Sequence, residues 1–425
     1  MTAGAEPHSD GQRRMGRVPQ RVGAWIGAKG LSREFWIFFV AALCFDFGVA
    51  MFFFLYNLFL LDLGYNERQL GLIGGAMTLG MVAGTIPLGM LAQRLGLRRV
   101  LLYGFAASAL TAAARTIVAG ERGQVAVAFL FGACLSFWAV CFSPAAAKLT
   151  TQKNRTFAFS LLLSVGIGTG GVAGLAGGWL PGWLQSQHAM PPADAKRVVL
   201  LLCCAVMTLG VWPVSRLRLA VEAAQPGRTW TFDPFLWRFL PAMALWNLAA
   251  GAFVPFATAY LARYVRLPLG QIGEIFSGSQ LAQVVAILLA PAVFRRCGLV
   301  TGIVYTQVAT AIALAGLAQA HAVPQVVALY LSFTAFHWMG GPGIYSLLMN
   351  RVAEEARSSA SAANNLVTQV CQAIASAAAG AAFVAFGYPA VLSAVAGIAV
   401  FAALLFWVLL PDPHQAKGAA TAPSC

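Results

Sequence analysis

Twelve separate apolar runs dominate this chain, each long enough to cross a lipid bilayer as a helix. They cover 35–61, 69–92, 98–119, 123–147, 156–184, 198–215, 235–264, 271–294, 299–320, 324–349, 359–386 and 388–410. Crossing the hydrocarbon takes about 20 apolar residues as helix. A backbone surrounded by lipid must also satisfy its own N–H and C=O groups, which restricts spanning structures to helices and closed barrels. Runs of this length leave one fold class, an all-α integral membrane protein with 12 transmembrane helices. Composition agrees, with 59% hydrophobic and 10% charged residues and a mean hydropathy of +0.74. An ordinary globular domain is about 25% charged.

The polar remainder sets the organisation. Residues 1–34 read as a disordered basic cytoplasmic tail, 35–215 as a first six-helix bundle and 216–234 as a polar cytoplasmic linker. Residues 235–410 read as a second bundle and 411–425 as a second cytoplasmic tail. The first run follows a polar tail and is too long for the core of a signal peptide, so it reads as a retained span. If both tails are cytoplasmic, 21 of the 28 Lys and Arg fall on that side. Only Arg68, Arg115, Arg122, Lys196, Arg197, Arg263 and Arg266 fall on the other. That bias follows the positive-inside rule and points to an inner or plasma membrane with both termini in the cytoplasm. The same sorting explains the net charge of +14 without nucleic acid as a partner. The eight cysteines form no C-x-x-C pair and read as small apolar packing residues.

The two halves are related at an offset of 202 residues. Gln69-Leu70-Gly71-Leu72-Ile73 aligns with Gln271-Ile272-Gly273-Glu274-Ile275. Arg94-Leu95-Gly96-Leu97 aligns with Arg296-Cys297-Gly298-Leu299, Tyr103 with Tyr305, and Arg155 with Arg357.

Between spans 2 and 3 lies the basic turn Gly89-Met90-Leu91-Ala92-Gln93-Arg94-Leu95-Gly96-Leu97-Arg98-Arg99. It resembles the G-x-x-x-D-R-x-G-R-R loop of the major facilitator superfamily. Gly89, Arg94, Gly96 and Arg98 match, while Gln93 replaces the family's Asp. The resemblance covers about residues 35–410 and implies two pseudo-symmetric six-helix bundles that rock in alternating access around a midplane site. It also implies that this loop latches span 2 to span 11 when that end is shut. Gln93 cannot form the usual charge pair, so the latch is expected to be weaker. A plain positive-inside anchor is the alternative reading. Gly89 is expected to permit close helix approach and Gly96 to permit the turn, with Arg296 and Gly298 as their counterparts in the second half.

Asp46 is the one acidic residue well inside a span. A carboxylate there costs at least about 2.5–3.5 kcal/mol unless it faces a cavity or a partner. It reads as a proton site or a cation contact, or else as hydrogen-bonding glue between helices. Asn57, eleven residues on, shares its helical face. His337 could exchange protons with Asp46 or contact substrate, or could simply pack; it precedes an expected break at Gly340-Gly341-Pro342-Gly343. Span 11 carries a polar stripe of Ser361, Asn365, Thr368, Gln369 and Gln372. Together with Gln280 and Gln283 of span 8 and Trp246 and Asn247 of span 7, it reads as cavity lining or as interhelical bonding. Trp138, Trp338 and Tyr345 are candidate stacking surfaces for a flat or cationic ligand.

Glycines from Gly166 to Gly182 loosely resemble the superfamily's antiporter signature, which implies export. No basic residue lies deep in a pathway span. Arg115, Arg263 and Arg266 sit near span ends, where they could snorkel, so a neutral or cationic substrate is favoured over an anion. There is no P-loop, H-E-x-x-H or G-x-S-x-G motif, and no cofactor, metal or enzymatic activity is implied. The reading is a monomeric secondary transporter whose partners are protons, membrane lipids and a small-molecule substrate. Its expected activity is proton-coupled export of a small amphipathic neutral or cationic compound. Uptake of a neutral polar solute such as a sugar is the alternative within transport. A non-transporting receptor or scaffold is the alternative outside it.

Overall fold

A computed structural model describes residues 30–152, 154–219 and 233–410. Residues 1–29 and 411–425 and most of the linker lie outside the described residues. Six helices fill the first half: α1 Arg33–Asp62, α2 Glu67–Leu95, α3 Leu97–Ile117, α4 Glu121–Lys148, α5 Arg155–His188 and α6 Pro192–Leu209, which a turn at Gly210 joins to Val211–Arg216. In the second half α7 starts as Leu236–Phe253 and continues irregularly to Tyr264. α8 Leu269–Cys297, α9 Leu299–Gln319 and α10 Val323–Arg351 follow. A final helical stretch, Arg357–Leu409, is broken at Gly387, whose φ of 76° no ordinary helix contains. Gly387 tolerates that angle and Pro389 suits the first turn of the next helix. The break divides α11 (357–386) from α12 (388–409).

Ten helices among the described residues are long and apolar enough to cross a membrane, the broken one of 51 residues included. α10 is long enough but less apolar, because Gln325, His337 and Asn350 interrupt it. Counting α11 and α12 separately, the long helices among the described residues number twelve. Their bounds follow the apolar runs closely. α6 departs most, starting at Pro192, six residues before its apolar run. Pro192 supplies a ready-made first turn, and Lys196 is buried against Asp62 of α1 at 2.5 Å.

The repeat is visible in the backbone. The turns into α3 and α9 hang on Gly96 (φ 84°, ψ 151°) and Gly298 (φ 86°, ψ 159°), both in a region closed to other residues. Arg155 donates to the carbonyl of Ala147 at 3.3 Å, and Arg357 donates to Met349 at 3.1 Å. Donors and acceptors both sit 202 residues apart. Within the first half α1 packs on α5 and α6, α2 on α4, and α3 on α4 and α6. The second half repeats the pattern, with α8 on α10 and α9 on α10. The halves meet along two seams, α2 with α11 and α5 with α8.

Two expectations are corrected. The Gly340-Gly341-Pro342-Gly343 stretch does not break α10, which runs unbroken through Pro342. Lost hydrogen bonds are expensive in lipid, so a single proline bends the ladder more cheaply than it ends it. The glycines serve packing instead. A Cβ on Gly343 would lie 2.6 Å from Phe294, and one on Gly340 would lie 3.1 Å from Thr306. Arg115 does not snorkel either. It is 2% exposed, with its guanidinium 3.9 Å from the centre of the Tyr56 ring. Phe52 and Phe131 flank it, and Gln124 donates to its carbonyl at 2.9 Å. Three aromatic faces supply the negative potential that water would otherwise provide.

Candidate functional site

The two seams are built alike. At the first, a Cβ placed on Gly71 would lie 3.1 Å from the Cα of Gly380, and one on Gly380 would lie 3.1 Å from the Cα of Gly71. At the second, the corresponding distances between Gly178 and Gly273 are 3.0 and 2.9 Å. Gly71 and Gly273 are repeat partners, as are Gly178 and Gly380. Real Cβ atoms are essentially absent closer than 3.0 Å and rare below 3.4 Å, so each crossing needs glycine on both helices. Serines reinforce them. Ser376 donates to the carbonyl of Gly71 at 3.3 Å, and Ser277 donates to Gly171 at 2.6 Å. Phe54 of α1 adds a ring contact to Phe276 of α8 at 5.1 Å.

Both crossings lie at the end of the bundle away from the basic loops. Further contacts between the halves cluster there. Asn57 donates to the carbonyl of Pro255 at 2.7 Å, at the point where α7 leaves regular helix. Glu67, the first residue of α2, is 7% exposed and receives Arg263 at 3.3 Å and the Tyr388 hydroxyl at 3.1 Å. Arg263 also donates to the carbonyl of Tyr65 at 2.9 Å. So Arg263 pairs across the seam rather than snorkelling. Sequence reasoning misses Glu67, Tyr388 and the crossing glycines as site residues. The signal lay in the repeat, where Gly71 and Gly273 already stood aligned.

Among the described residues, the basic-loop end is open. Among the described residues, no atom of a neighbouring helix lies within 4 Å of a Cβ built on Gly89, so its expected close approach is not made here. Ile86, Met90 and Leu91 of α2 are exposed. Gln93, Arg94 and Arg296 are exposed, and among the described residues no contact latches the loop to α11. Arg98 donates instead to the carbonyl of Ser215, capping the last turn of its own half.

Between these ends the candidate residues divide into three groups. Asp46 lies on α1, and Trp138 faces the same pocket from α4. The pocket, of about 520 Å³, is lined also by Val49, Ala50, Phe142, Ser143, Leu162 and Gly166. α4 and α5 make few contacts with each other, and both line the pocket together with α1. A methyl on Gly166 would lie 3.5 Å from the Asp46 carboxylate, so the glycine leaves that face uncovered. Asn57 shares the helical face but not the job, since its amide is spent at Pro255.

The second group is aromatic. His337 stacks on Trp246 at 5.3 Å and on Phe333 at 5.7 Å, with Trp338 edge-on at 5.6 Å. His337 is not among the residues lining the Asp46 pocket. Trp338 and Tyr345 are exposed. The third group is made of amides. Asn247 of α7 donates to Thr368 at 3.1 Å and receives Gln372 at 3.3 Å, both on α11. Gln369 reaches Met81 of α2 at 4.0 Å. The α11 stripe therefore serves interhelical bonding at Thr368 and Gln372, while Asn365 stays exposed. Gln280 crosses the second seam toward Gly170, and Gln283 is buried. Among the described residues, no group of three or more His, Cys, Asp or Glu could hold a metal ion.

Twelve helices among the described residues, in two repeats that meet chiefly along glycine seams, define a multi-pass membrane protein with a transporter fold. The chain belongs to the Major Facilitator Superfamily, whose model matches residues 38–254 and again 239–423. No curated protein matches it. Among solved structures it is similar to the nucleoside transporter NupG, at 13% identity and a TM-score of 0.74, covering 90% of this chain and 100% of that one. A bacterial homologue of the human lysosomal transporter Spinster, inward-facing and unoccupied, gives 14% identity and a TM-score of 0.69, covering 89% and 97%. A bacterial homologue of the iron transporter ferroportin, inward-facing, gives 16% and 0.69, covering 89% and 99%. At these identities the likeness is one of fold.

Proposed function

We propose that this protein is a secondary active transporter that works by alternating access and exports a small amphipathic, neutral or cationic compound in exchange for protons. The observation that carries the proposal is Asp46. It is a single carboxylate in a mostly apolar pocket, beside Trp138 and with one face left uncovered by Gly166. A carboxylate costs several kcal/mol at that depth unless it meets a counter-charge, a proton or water. No basic residue lines its pocket, so a proton or a cationic substrate is the natural counter-charge. Charge sorting along the sequence supports cytoplasmic termini in the inner or plasma membrane. In that orientation the open end faces the cytoplasm, as loading for export requires. A monomer suffices, since both halves of the path come from one chain.

The experiment uses purified protein in proteoliposomes with an imposed pH gradient and ethidium as the probe cation. Gradient-driven movement is expected in the parent and is expected to fall about tenfold or more in Asp46→Asn. Undiminished proton-driven movement in Asp46→Asn would remove Asp46 from the coupling role. One observation favours uptake of a neutral polar solute, namely the uncharged Asn247, Thr368 and Gln372 set on α7 and α11. Proton-independent movement of a sugar or nucleoside, with none of the cation, would establish that reading instead.

A further inference from the structure

The two glycine seams match in backbone but differ in charge. The repeat partner of Glu67 is Leu269, so the α5–α8 seam has no acid where the α2–α11 seam has one. Glu67 is nearly buried and comes from the first half. Both side chains that meet it, those of Arg263 and Tyr388, come from the second half.

Each partner is positioned by an irregular piece of backbone. Arg263 lies in the π-helical turn Tyr260–Tyr264 that ends α7, and Tyr388 directly follows the positive-φ turn at Gly387. Tyr260, Tyr264 and Tyr388 pack ring to ring at 5.3, 5.4 and 5.7 Å, which holds both partners in place. Glu67 is fixed from its own side. Asn66 and Gln69 form a reciprocal cap around the start of α2, and Gln69 is tied in turn to Glu121 of α4 at 2.9 Å. The negative charge also sits at the positive end of the α2 dipole. Rigid supports on both sides of one ion pair make the pair a coupling between two bodies rather than a surface contact.

We propose that Glu67, Arg263 and Tyr388 form a charged clasp that holds this end of the path shut, and that loosening it shifts the molecule toward opening at that end. The Arg263 side chain is 38% exposed, so water screens part of the attraction. The clasp therefore biases an equilibrium and does not lock it. Any opening at the α2–α11 seam must part Glu67 from both partners and uncover Ser376, which is 2% exposed beside Gly71.

The test needs no transported compound, so it stands apart from the proposed function. The full chain, with its native cysteines replaced and Ser376→Cys introduced, is labelled in membranes by an impermeant maleimide from the side this end faces. Slow labelling is expected in the parent, and a rise of about 5- to 10-fold in Glu67→Gln and in Arg263→Gln. The double variant should be no faster than either single one, because both remove the same interaction. Tyr388→Phe, which loses one hydrogen bond and keeps the ring, should give about a 2-fold rise. If Glu67→Gln does not fold, Arg263→Gln and Tyr388→Phe carry the test. Labelling unchanged in the folded variants, single effects that multiply in the double variant, or a parent already labelled at the rate of a free thiol would each overturn the clasp.

Discussion

The two ends of this molecule are made from the same helices and treat them differently. At the far end α2 and α11 approach until Gly71 and Gly380 allow no side chain between them, and α5 and α8 do the same at Gly178 and Gly273. At the basic-loop end the same α2 carries Gly89 with open space beside it and a row of exposed apolar residues. Both ends have glycine, so glycine alone does not close a seam. Closure needs glycine on both helices at one level, with a carbonyl in reach of a serine hydroxyl, and among the described residues the far end shows that. The duplicated chain supplies it twice, because a crossing that fits one repeat fits the other.

This contrast predicts a ranking of effects. Valine at Gly71 or at Gly273 would put side-chain atoms where the partner backbone now lies. Overpacking of this kind costs about 1–3 kcal/mol. The ratio of open to closed molecules should therefore rise about 5- to 150-fold, read as faster labelling of Ser376→Cys; unchanged labelling would mean that the seam is looser than described. Valine at Gly89 should leave that labelling within about 2-fold, since it meets nothing in this state. Asn57→Ala removes one hydrogen bond between the halves. Such bonds average about 0.6 kcal/mol within membranes, so a rise of about 3-fold or less in the same readout is expected. An Asn57→Ala effect larger than that of Gly71→Val would shift the weight of closure from the crossings to the α1–α7 contact.

Much of this architecture is legible in the sequence, for physical reasons. Lipid permits few backbone solutions, so apolar runs translate almost directly into helices, and the bounds of α9 and α10 shift by only a residue or two. Gly96 and Gly298 are readable because a turn between two spans needs a residue tolerant of positive φ. Asp46 is readable because a carboxylate inside an apolar run has few excuses. The clasp is not readable. Glu67 and Arg263 sit at span ends, where charges are ordinary, and 196 residues separate them. Tyr388 becomes a partner only through the turn at Gly387. The irregular end of α7 is equally hidden, since its apolar run looks continuous. The crossing glycines were half visible. Among 43 glycines, single ones carry no message, yet a pair kept at the repeat offset, Gly71 with Gly273, does.

The most direct test of a path shut at one end and open at the other compares two cysteines on one helix. Asn365→Cys and Ser376→Cys both lie on α11, eleven residues apart, in a protein otherwise free of cysteine. With an impermeant maleimide applied to each face of oriented membranes, Asn365→Cys should be labelled from the basic-loop face. Ser376→Cys should be protected from both faces. Ready labelling of Ser376→Cys from the opposite face, with Asn365→Cys protected, would contradict the account.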